Sequence, residues 1–145
     1  MLILNDYVDL VAESGFDGVH LGQTDMPPGD ARALLGADTL IGISTHNEAQ
    51  LSAAAPEPVD YVAIEPVFAT VSKENPDPVV GLEGVRLARQ LTDKPLVAIG
   101  GITLANVAEV WAAGADSVAV ISGILGAVDP LRAAAEFLRV YRSAR

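Results

Sequence analysis

The sequence predicts an α/β protein whose parallel strands alternate with helices and close into a (β/α)8 barrel rather than an open sheet. Short, nearly continuous apolar segments alternate with longer amphipathic ones, as buried parallel strands and their connecting helices do. The first strand-to-helix turn, residues 4–7, lacks the glycine-rich fingerprint of open nucleotide-binding sheets. Unusual polar residues gather where the strands are expected to end, the face on which barrels carry their chemistry.

Six strands and six helices follow from the apolar runs and the turn residues between them. The strands are expected at residues 2–4, 18–21, 40–44, 61–65, 96–100 and 118–122, and the helices at 7–14, 28–35, 47–55, 82–91, 104–112 and 130–142. Pro28 and Pro130 stand at first-turn positions that tolerate proline, and Gly36 stands where a left-handed residue ends a helix. No linker or low-complexity stretch interrupts the series, so residues 1–145 are expected to form a single domain.

The number of units is small for a closed barrel. A complete barrel has eight βα units and usually about 200 residues or more, whereas this chain offers about six units in 145 residues. Met1 stands directly before a buried strand, so we expect the first two units to be absent and the domain to be a partial barrel. Such a sheet has two parallel edges that another element must cover.

Composition excludes several classes of function. The chain has 9 Lys and Arg against 19 Asp and Glu, a formal net charge of −10, which opposes general binding to nucleic acids or anionic membranes. The absence of cysteine excludes disulfides, thiolate metal sites and cysteine nucleophiles. No apolar run is long enough to span a bilayer and no cationic leader precedes an apolar segment, so we expect a cytoplasmic protein.

Two glycine-rich strand ends predict a phosphate site. Residues 99–102 (Ile-Gly-Gly-Ile) and 120–124 (Val-Ile-Ser-Gly-Ile) are small enough for backbone N–H groups to approach a ligand closely. Loops after the last two strands are the usual phosphate cradle of such barrels. The alternative is that these glycines only allow tight packing of a helix.

Three charged residues near the other strand ends are candidates for binding charge. Asp6 and Asp25 follow adjacent strands and suit a Mg²⁺ ion that keeps waters and bridges to a phosphate, although each could instead serve a helix cap or a turn. Lys73 lies in the long irregular segment 69–80 and is a candidate phosphate-binding cation, or else a solvated lysine. His20, inside a strand, is interpreted as structural, and His46 as a residue that packs or that supports the residues touching a ligand.

Seven stretches together resemble one family. They are Leu-Asn-Asp at 4–6, Asp-Gly-Val-His-Leu-Gly-Gln-Thr-Asp at 17–25, Ile-Gly-Ile-Ser-Thr-His at 41–46, Pro-Val-Phe-Ala-Thr-Val-Ser-Lys at 66–73, Val-Ala-Ile-Gly-Gly-Ile-Thr at 97–103, Asn-Val at 106–107, and Ala-Gly-Ala-Asp at 113–116 with the run to Ser122. In this order and spacing they resemble the thiamine phosphate synthases, (β/α)8 TIM barrels of the phosphate-binding type.

The resemblance implies a Mg²⁺-dependent transferase of thiamine biosynthesis. Its two small-molecule substrates are an aminomethylpyrimidine diphosphate and a thiazole phosphate, and its products are thiamine phosphate and diphosphate. The residues that it implies are Asp6 and Asp25 for Mg²⁺; Asn5, Ser44 and Lys73 for the pyrimidine diphosphate, with Ser44 and Lys73 also in catalysis; and Thr70, Val71, Ser72, Gly101, Ile121 and Ser122 for the thiazole phosphate.

Two departures from the family pattern leave alternatives open. The family's Gln-x-Arg-x-Lys cluster, which grips the diphosphate, has no counterpart, and Glu65 stands where the family has glycine, so its carboxylate should weaken anion binding. The alternatives are an inactive or thiazole-phosphate-binding remnant, one half of a split enzyme, and a thiazole tautomerase. Against the last, Pro66 replaces that relative's catalytic histidine. We expect this 145-residue chain alone to be inactive, and whether it assembles with copies of itself stays open.

Overall fold

Six parallel strands form a curled half-barrel with helices between them. The structure, a computed structural model, describes residues 1–70 and 77–144. The strands are β1 Ile3–Asn5, β2 Gly18–Leu21, β3 Leu40–Thr45, β4 Tyr61–Ile64, β5 Leu96–Ile99 and β6 Ser117–Ala119. Each pairs in parallel with the next along the chain, in the order β1-β2-β3-β4-β5-β6. This one-step progression is that of a barrel, and it confirms the predicted fold class.

The helices follow the prediction except near the end of the chain. They are α1 Val8–Ser14, α2 Pro28–Leu35, α3 Glu48–Ala54, α4 Gly81–Leu91, α5 Val107–Ala112, α6 Ser122–Leu125 and α7 Pro130–Ala144. Helix α5 begins three residues later than expected, because Asn106 closes a turn in which its Oδ1 accepts the Thr103 N–H at 2.8 Å. None of the helices in the described residues is both long and apolar enough to cross a membrane.

The last predicted strand was wrong at its carboxyl end. Strand β6 stops at Ala119 instead of continuing to residue 122, and Ser122 begins the unpredicted helix α6. The reason lies in the neighbouring strand: the final pair of the ladder is Ile99 with Ala119, and Gly100 turns β5 away with φ +97°. Residues 120–122 therefore have no strand partner in β5.

Strand residues that alternate outward are buried beneath the helices. Val19, Leu21, Ile41, Val62 and Leu96 are fully inaccessible to solvent. The helices cover them with apolar side chains of their own, including Leu51 of α3, Val85 of α4, and Val107 and Val110 of α5. This outer layer leaves the inner face of the sheet for polar residues.

One aspartate before each of three strands fixes the amino-terminal ends of the sheet. Each carboxylate accepts a backbone N–H from the first or an adjacent residue of the neighbouring strand that comes earlier in the chain. Two of the three aspartates also pair with an arginine. The contacts are Asp17 to Leu2 N at 2.6 Å; Asp60 to Ile41 N at 2.7 Å and Arg32 at 2.6 Å; and Asp116 to Leu96 N at 2.9 Å and Arg89 at 2.7 Å. These acids serve the fold, so the ligand site is sought at the opposite ends of the strands.

Candidate active site

Two neighbouring pockets open at the carboxyl ends of the strands. The smaller has a volume of about 230 Å³ and the larger about 770 Å³. Glu65, Ile99, Ala119 and Ile121 line both, so the pockets share a wall. Asn5 of β1 and Ala119 of β6 lie on opposite edges of the sheet yet line the same larger pocket, because the sheet is curled.

The smaller pocket collects the residues that the sequence assigned to the thiazole phosphate. Thr70, Gly101, Ile121 and Ser122 all line it, whereas Val71 and Ser72 lie outside the described residues. The backbone of Gly101 has φ +62°, and a Cβ there would lie 2.5 Å from the Ala69 carbonyl oxygen. The turn after β5 therefore packs directly on the segment after β4, a contact that only glycine permits.

The larger pocket contains the predicted carboxylate pair. Asp6 and Asp25 both line it, and a hydrogen bond joins their side chains. Partial burial raises the pKa of Asp6, and the hydrogen bond to Asp25 and the negative charge of Asp25 raise it further. The Asp25 carboxylate also accepts the Gly22 N–H at 2.6 Å, so it serves its turn as well. Helix α1 begins after Tyr7, which makes no side-chain cap.

This pair has the chemistry of a magnesium site that a substrate completes. Mg²⁺ usually binds through one or two carboxylates, several waters and substrate phosphates rather than an all-protein cage. Within the described ranges no group of three or more His, Cys, Asp or Glu residues could hold a metal ion. Asp6 and Asp25 therefore fit a hard cation that takes its remaining ligands from water and phosphate.

A chain of hydrogen bonds crosses the inner face of the sheet, and sequence reasoning missed it. The Tyr61 hydroxyl lies 2.8 Å from Nδ1 of His20, and Nε2 of His20 lies 2.9 Å from Oγ of Ser44. The Ser44 hydroxyl in turn donates to Oε1 of Glu65 at 3.0 Å. His20, interpreted from the sequence as structural, thus lines the larger pocket beside Ser44.

Burial keeps His20, the histidine of this series of hydrogen bonds, neutral. It lowers the pKa of His20, and the charges of Glu65 and Asp25 only partly oppose that effect. Burial likewise raises the pKa of Tyr61, which therefore remains a phenol. His20 and Tyr61 are thus the neutral members of this hydrogen-bond series, which ends at the Glu65 side chain.

His46 also lines the larger pocket, and its interpretation as a packing residue stays a prediction. Its backbone N–H donates to Oε1 of Gln50 at 2.7 Å, and its Nδ1 lies 2.9 Å from the Glu65 carbonyl oxygen. The same nitrogen lies 3.5 Å from a carboxylate oxygen of Asp77. These contacts fix the main chain at Glu65.

The described lining of the site is acidic. Asp6, Asp25, Glu65 and Asp77 line the larger pocket, and no Lys or Arg among the described residues lines either pocket. The predicted cation Lys73 lies outside the described residues. Glu65 itself does not turn away from the site, since it lines both pockets. An anionic ligand therefore needs a cation that these residues do not supply.

Comparison with known proteins gives one family. A family model described as thiamine monophosphate synthase matches residues 1–124. The chain is 56% identical over 142 residues to a thiamine-phosphate synthase of Koribacter versatilis and 50% identical over 139 residues to one of Methanoculleus marisnigri, matches that cover 98% and 96% of this chain. It spans 66% and 65% of those two proteins, just under two thirds of their length.

A solved structure agrees with these relatives. The thiamine phosphate pyrophosphorylase of Pyrococcus furiosus superposes with a TM-score of 0.88 at 34% identity, over 98% of this chain and 67% of that one. The sequence match, the shared fold and the paired pockets at the strand ends point the same way. The chain belongs to the thiamine monophosphate synthase family.

Proposed function

We propose that this chain carries the active site of a thiamine phosphate synthase. The reaction joins an aminomethylpyrimidine diphosphate to a thiazole phosphate and releases diphosphate. One observation carries the proposal: a pocket with a carboxylate pair and a pocket with a glycine turn lie side by side and share a wall. Two anionic substrates bound there would meet at that wall. The names of the two relatives compared above support the same activity.

The larger pocket is proposed to bind the pyrimidine diphosphate. Asp6 and Asp25 would hold Mg²⁺, and the ion, when bound, supplies the charge neutralisation that the diphosphate requires. Asn5 and Ser44 line the pocket and would contact this substrate together with Lys73. Burial raises the pKa of Asp6, and the hydrogen bond and the negative charge of Asp25 raise it further; a bound cation would relieve the repulsion between the two carboxylates.

The smaller pocket is proposed to bind the thiazole phosphate. Thr70 and Ser122 offer hydroxyl groups, and Gly101 and Ile121 offer closely approached main chain, with Val71 and Ser72 completing the set. Its volume of about 230 Å³ is the smaller of the two, which matches it to the substrate with one phosphate and leaves the pocket of about 770 Å³ for the diphosphate. The shared wall would then hold the thiazole nitrogen beside the carbon that it attacks.

The proposed chemistry asks for positioning and electrostatics rather than a nucleophilic side chain. Diphosphate is a good leaving group, and the electron-rich pyrimidine stabilises a cation at its exocyclic carbon. Ser44 and Lys73 are proposed to act on the pyrimidine and on the departing diphosphate. The two small-molecule substrates are the partners proposed for the chain. Its net charge of −10 disfavours binding to nucleic acid and to anionic membranes. A cytoplasmic location is proposed as well, and the lack of cysteine is compatible with it.

The second candidate is a thiazole-phosphate-binding protein without synthase activity. The observation that favours it is the absence of Lys and Arg from the described lining of both pockets, since the diphosphate is the substrate that most needs cations. The two candidates differ in one property. Only the synthase binds pyrimidine diphosphate in the presence of Mg²⁺ and turns it over.

The test compares the chain with a chimera. The chimera joins to this chain the part of the Koribacter versatilis synthase that the match leaves out, and both proteins receive Mg²⁺ and both substrates. We expect thiamine phosphate from the chimera, measured after oxidation to fluorescent thiochrome phosphate, and little from the chain alone. An Asp6→Asn, Asp25→Asn chimera is the matched control. If the chimera binds thiazole phosphate but forms no product, the second candidate replaces the first.

A further inference from the structure

Glu65 is held at the wall between the two pockets by its own main chain. It directly follows β4, and its N–H donates to the Thr45 carbonyl oxygen at 3.0 Å. Its carbonyl oxygen lies 2.9 Å from Nδ1 of His46. With the backbone held on both sides, the partly buried side chain has little freedom in where it places its charge.

The hydrogen-bond chain through Ser44 orients the Glu65 carboxylate. A hydroxyl has one hydrogen, and Ser44 donates it to Oε1 of Glu65. Nε2 of His20 must then be the donor to Oγ of Ser44, which leaves Nδ1 to accept from Tyr61. A neutral His20 therefore accepts one hydrogen bond and donates one. In all three hydrogen bonds of the series, from Tyr61 to Glu65, the donor is the residue farther from Glu65.

The position of Glu65 is unfavourable for an anion and favourable for a cation. It stands beside Asp6, Asp25 and Asp77 in an acidic lining, and it alone among these acids lines both pockets. A carboxylate in the wall between two ligands repels phosphate groups and attracts positive charge that arises there.

The proposed reaction creates positive charge at this junction. The C–O bond between the pyrimidine's exocyclic carbon and the diphosphate breaks, and the electron pair leaves with the diphosphate. The exocyclic carbon becomes cationic, the lone pair of the thiazole nitrogen forms the new C–N bond, and the charge ends on the thiazolium ring. No proton moves and no oxidant or reductant is needed.

We infer that Glu65 is a catalytic residue of this chain, whose carboxylate stabilises the positive charge that passes from the pyrimidine's exocyclic carbon to the thiazolium nitrogen. The inference rests on the proposed function. Ser44 is in this respect a positioning residue, because its hydrogen is committed to Glu65. The departure from the family glycine then adds electrostatic stabilisation at the step that forms the cation, instead of only weakening the binding of anions.

Binding of a charged and an uncharged ligand tests this directly. The probes are thiamine phosphate, which carries the thiazolium charge, and its isostere in which a neutral thiophene replaces the thiazolium ring. Calorimetry measures both affinities on the chain and on the chimera. Glu65→Gln should weaken thiamine phosphate binding about tenfold and leave the isostere unchanged, because only the charge interaction is lost. Glu109→Gln, which removes an exposed carboxylate of α5 outside both pockets, should change neither.

The same pair of ligands separates positioning from structure at Ser44. Ser44→Ala should show the selective loss for thiamine phosphate in weaker form, whereas a structural role, or only the direct contact with the pyrimidine proposed above, would lower both affinities alike. Equal losses for both ligands in Glu65→Gln, no loss for either, or tighter binding of thiamine phosphate overturns the inference. Failure of the proposed function has a different signature, because the unaltered chimera would then form no thiamine phosphate at all.

Discussion

The turn at Gly101 offers a sharp test of how the smaller pocket is built. A Cβ at this position would lie 2.5 Å from the Ala69 carbonyl oxygen and 2.7 Å from Cβ of Phe68. Both atoms belong to the segment that leads to Thr70, which lines the pocket. Gly101→Ala should therefore displace one wall of the pocket in addition to straining the turn.

The size of the effect can be separated into two parts. A left-handed conformation costs a residue with a Cβ roughly 1–2 kcal/mol, and overpacking against a fixed neighbour costs about 1–3 kcal/mol more. Gly15 provides the matched control, because it has φ +72° but nothing within 4 Å of an added Cβ. Gly15→Ala should lower the unfolding free energy only by the cost of the left-handed conformation. The entropy that alanine removes from the unfolded chain is common to both variants and cancels in the difference.

Urea unfolding of the two variants measures this difference. We expect Gly101→Ala to lose about 1–3 kcal/mol more unfolding free energy than Gly15→Ala. Its affinity for thiazole phosphate should fall, whereas Gly15→Ala should keep it. Equal stabilities within about 0.5 kcal/mol, or unchanged thiazole phosphate binding by Gly101→Ala, would refute the packing of this turn against residues 68–69.

Three further predictions concern the charges of the larger pocket. Asp25→Asn should weaken Mg²⁺-dependent binding of the pyrimidine diphosphate by about tenfold or more and spare thiazole phosphate, and equal loss of both ligands in calorimetry would contradict the site. Because the pKa of Asp6 is raised in the folded protein, the unfolding free energy should fall as pH rises from the ordinary pKa of an aspartate through the raised pKa of Asp6. Urea unfolding measures this fall, and added Mg²⁺ or the Asp25→Asn substitution should make it smaller. Because the pKa of His20 is lowered, the stabilisation that neutral His20 provides is intact above about pH 6.5 and is lost as pH falls toward the lowered pKa. The unfolding free energy should fall by at most about 1.4 kcal/mol per pH unit in this range. If His20→Asn leaves the dependence of unfolding free energy on pH unchanged, His20 is not its cause.

Sequence patterns located the first five strands because each is a short apolar run between turn residues. Their predicted ends fall within one residue of the observed ones, and the order of the strands in the sheet is their order along the chain. The sixth strand differs because its apolar run continues through Ile121, while its partner β5 ends at Ile99. Where a strand ends depends on its neighbour, which a local pattern does not contain.

The carboxylate pair could be predicted, whereas the hydrogen-bond chain could not. Asp6 and Asp25 follow adjacent strands, and the carboxyl ends of parallel strands meet at one edge. The contacts of His20 instead join residues 24 and 41 positions apart. One signal was present: glycine precedes His20 and Ser44 by two residues, and glycine at 42 leaves the room that the Tyr61 ring occupies. In this sheet the two glycines leave room on the inner face for side chains of neighbouring strands, Tyr61 at Gly42 and Ile3 at Gly18.

Acidic residues serve opposite purposes at the two ends of this sheet. Before the strands, aspartates bind main-chain N–H groups, and two of them bind arginines, so their charge is satisfied within the fold. After the strands, Asp6 and Asp25 are hydrogen-bonded to each other and Glu65 is part of the shared wall, and no Lys or Arg among the described residues lines the pockets beside them. The described site is therefore more anionic than its proposed substrates can tolerate without cations. We therefore expect the diphosphate to bind the larger pocket together with Mg²⁺, whereas thiazole phosphate, bound through hydroxyl groups and main chain, should enter the smaller one with an affinity that does not depend on Mg²⁺.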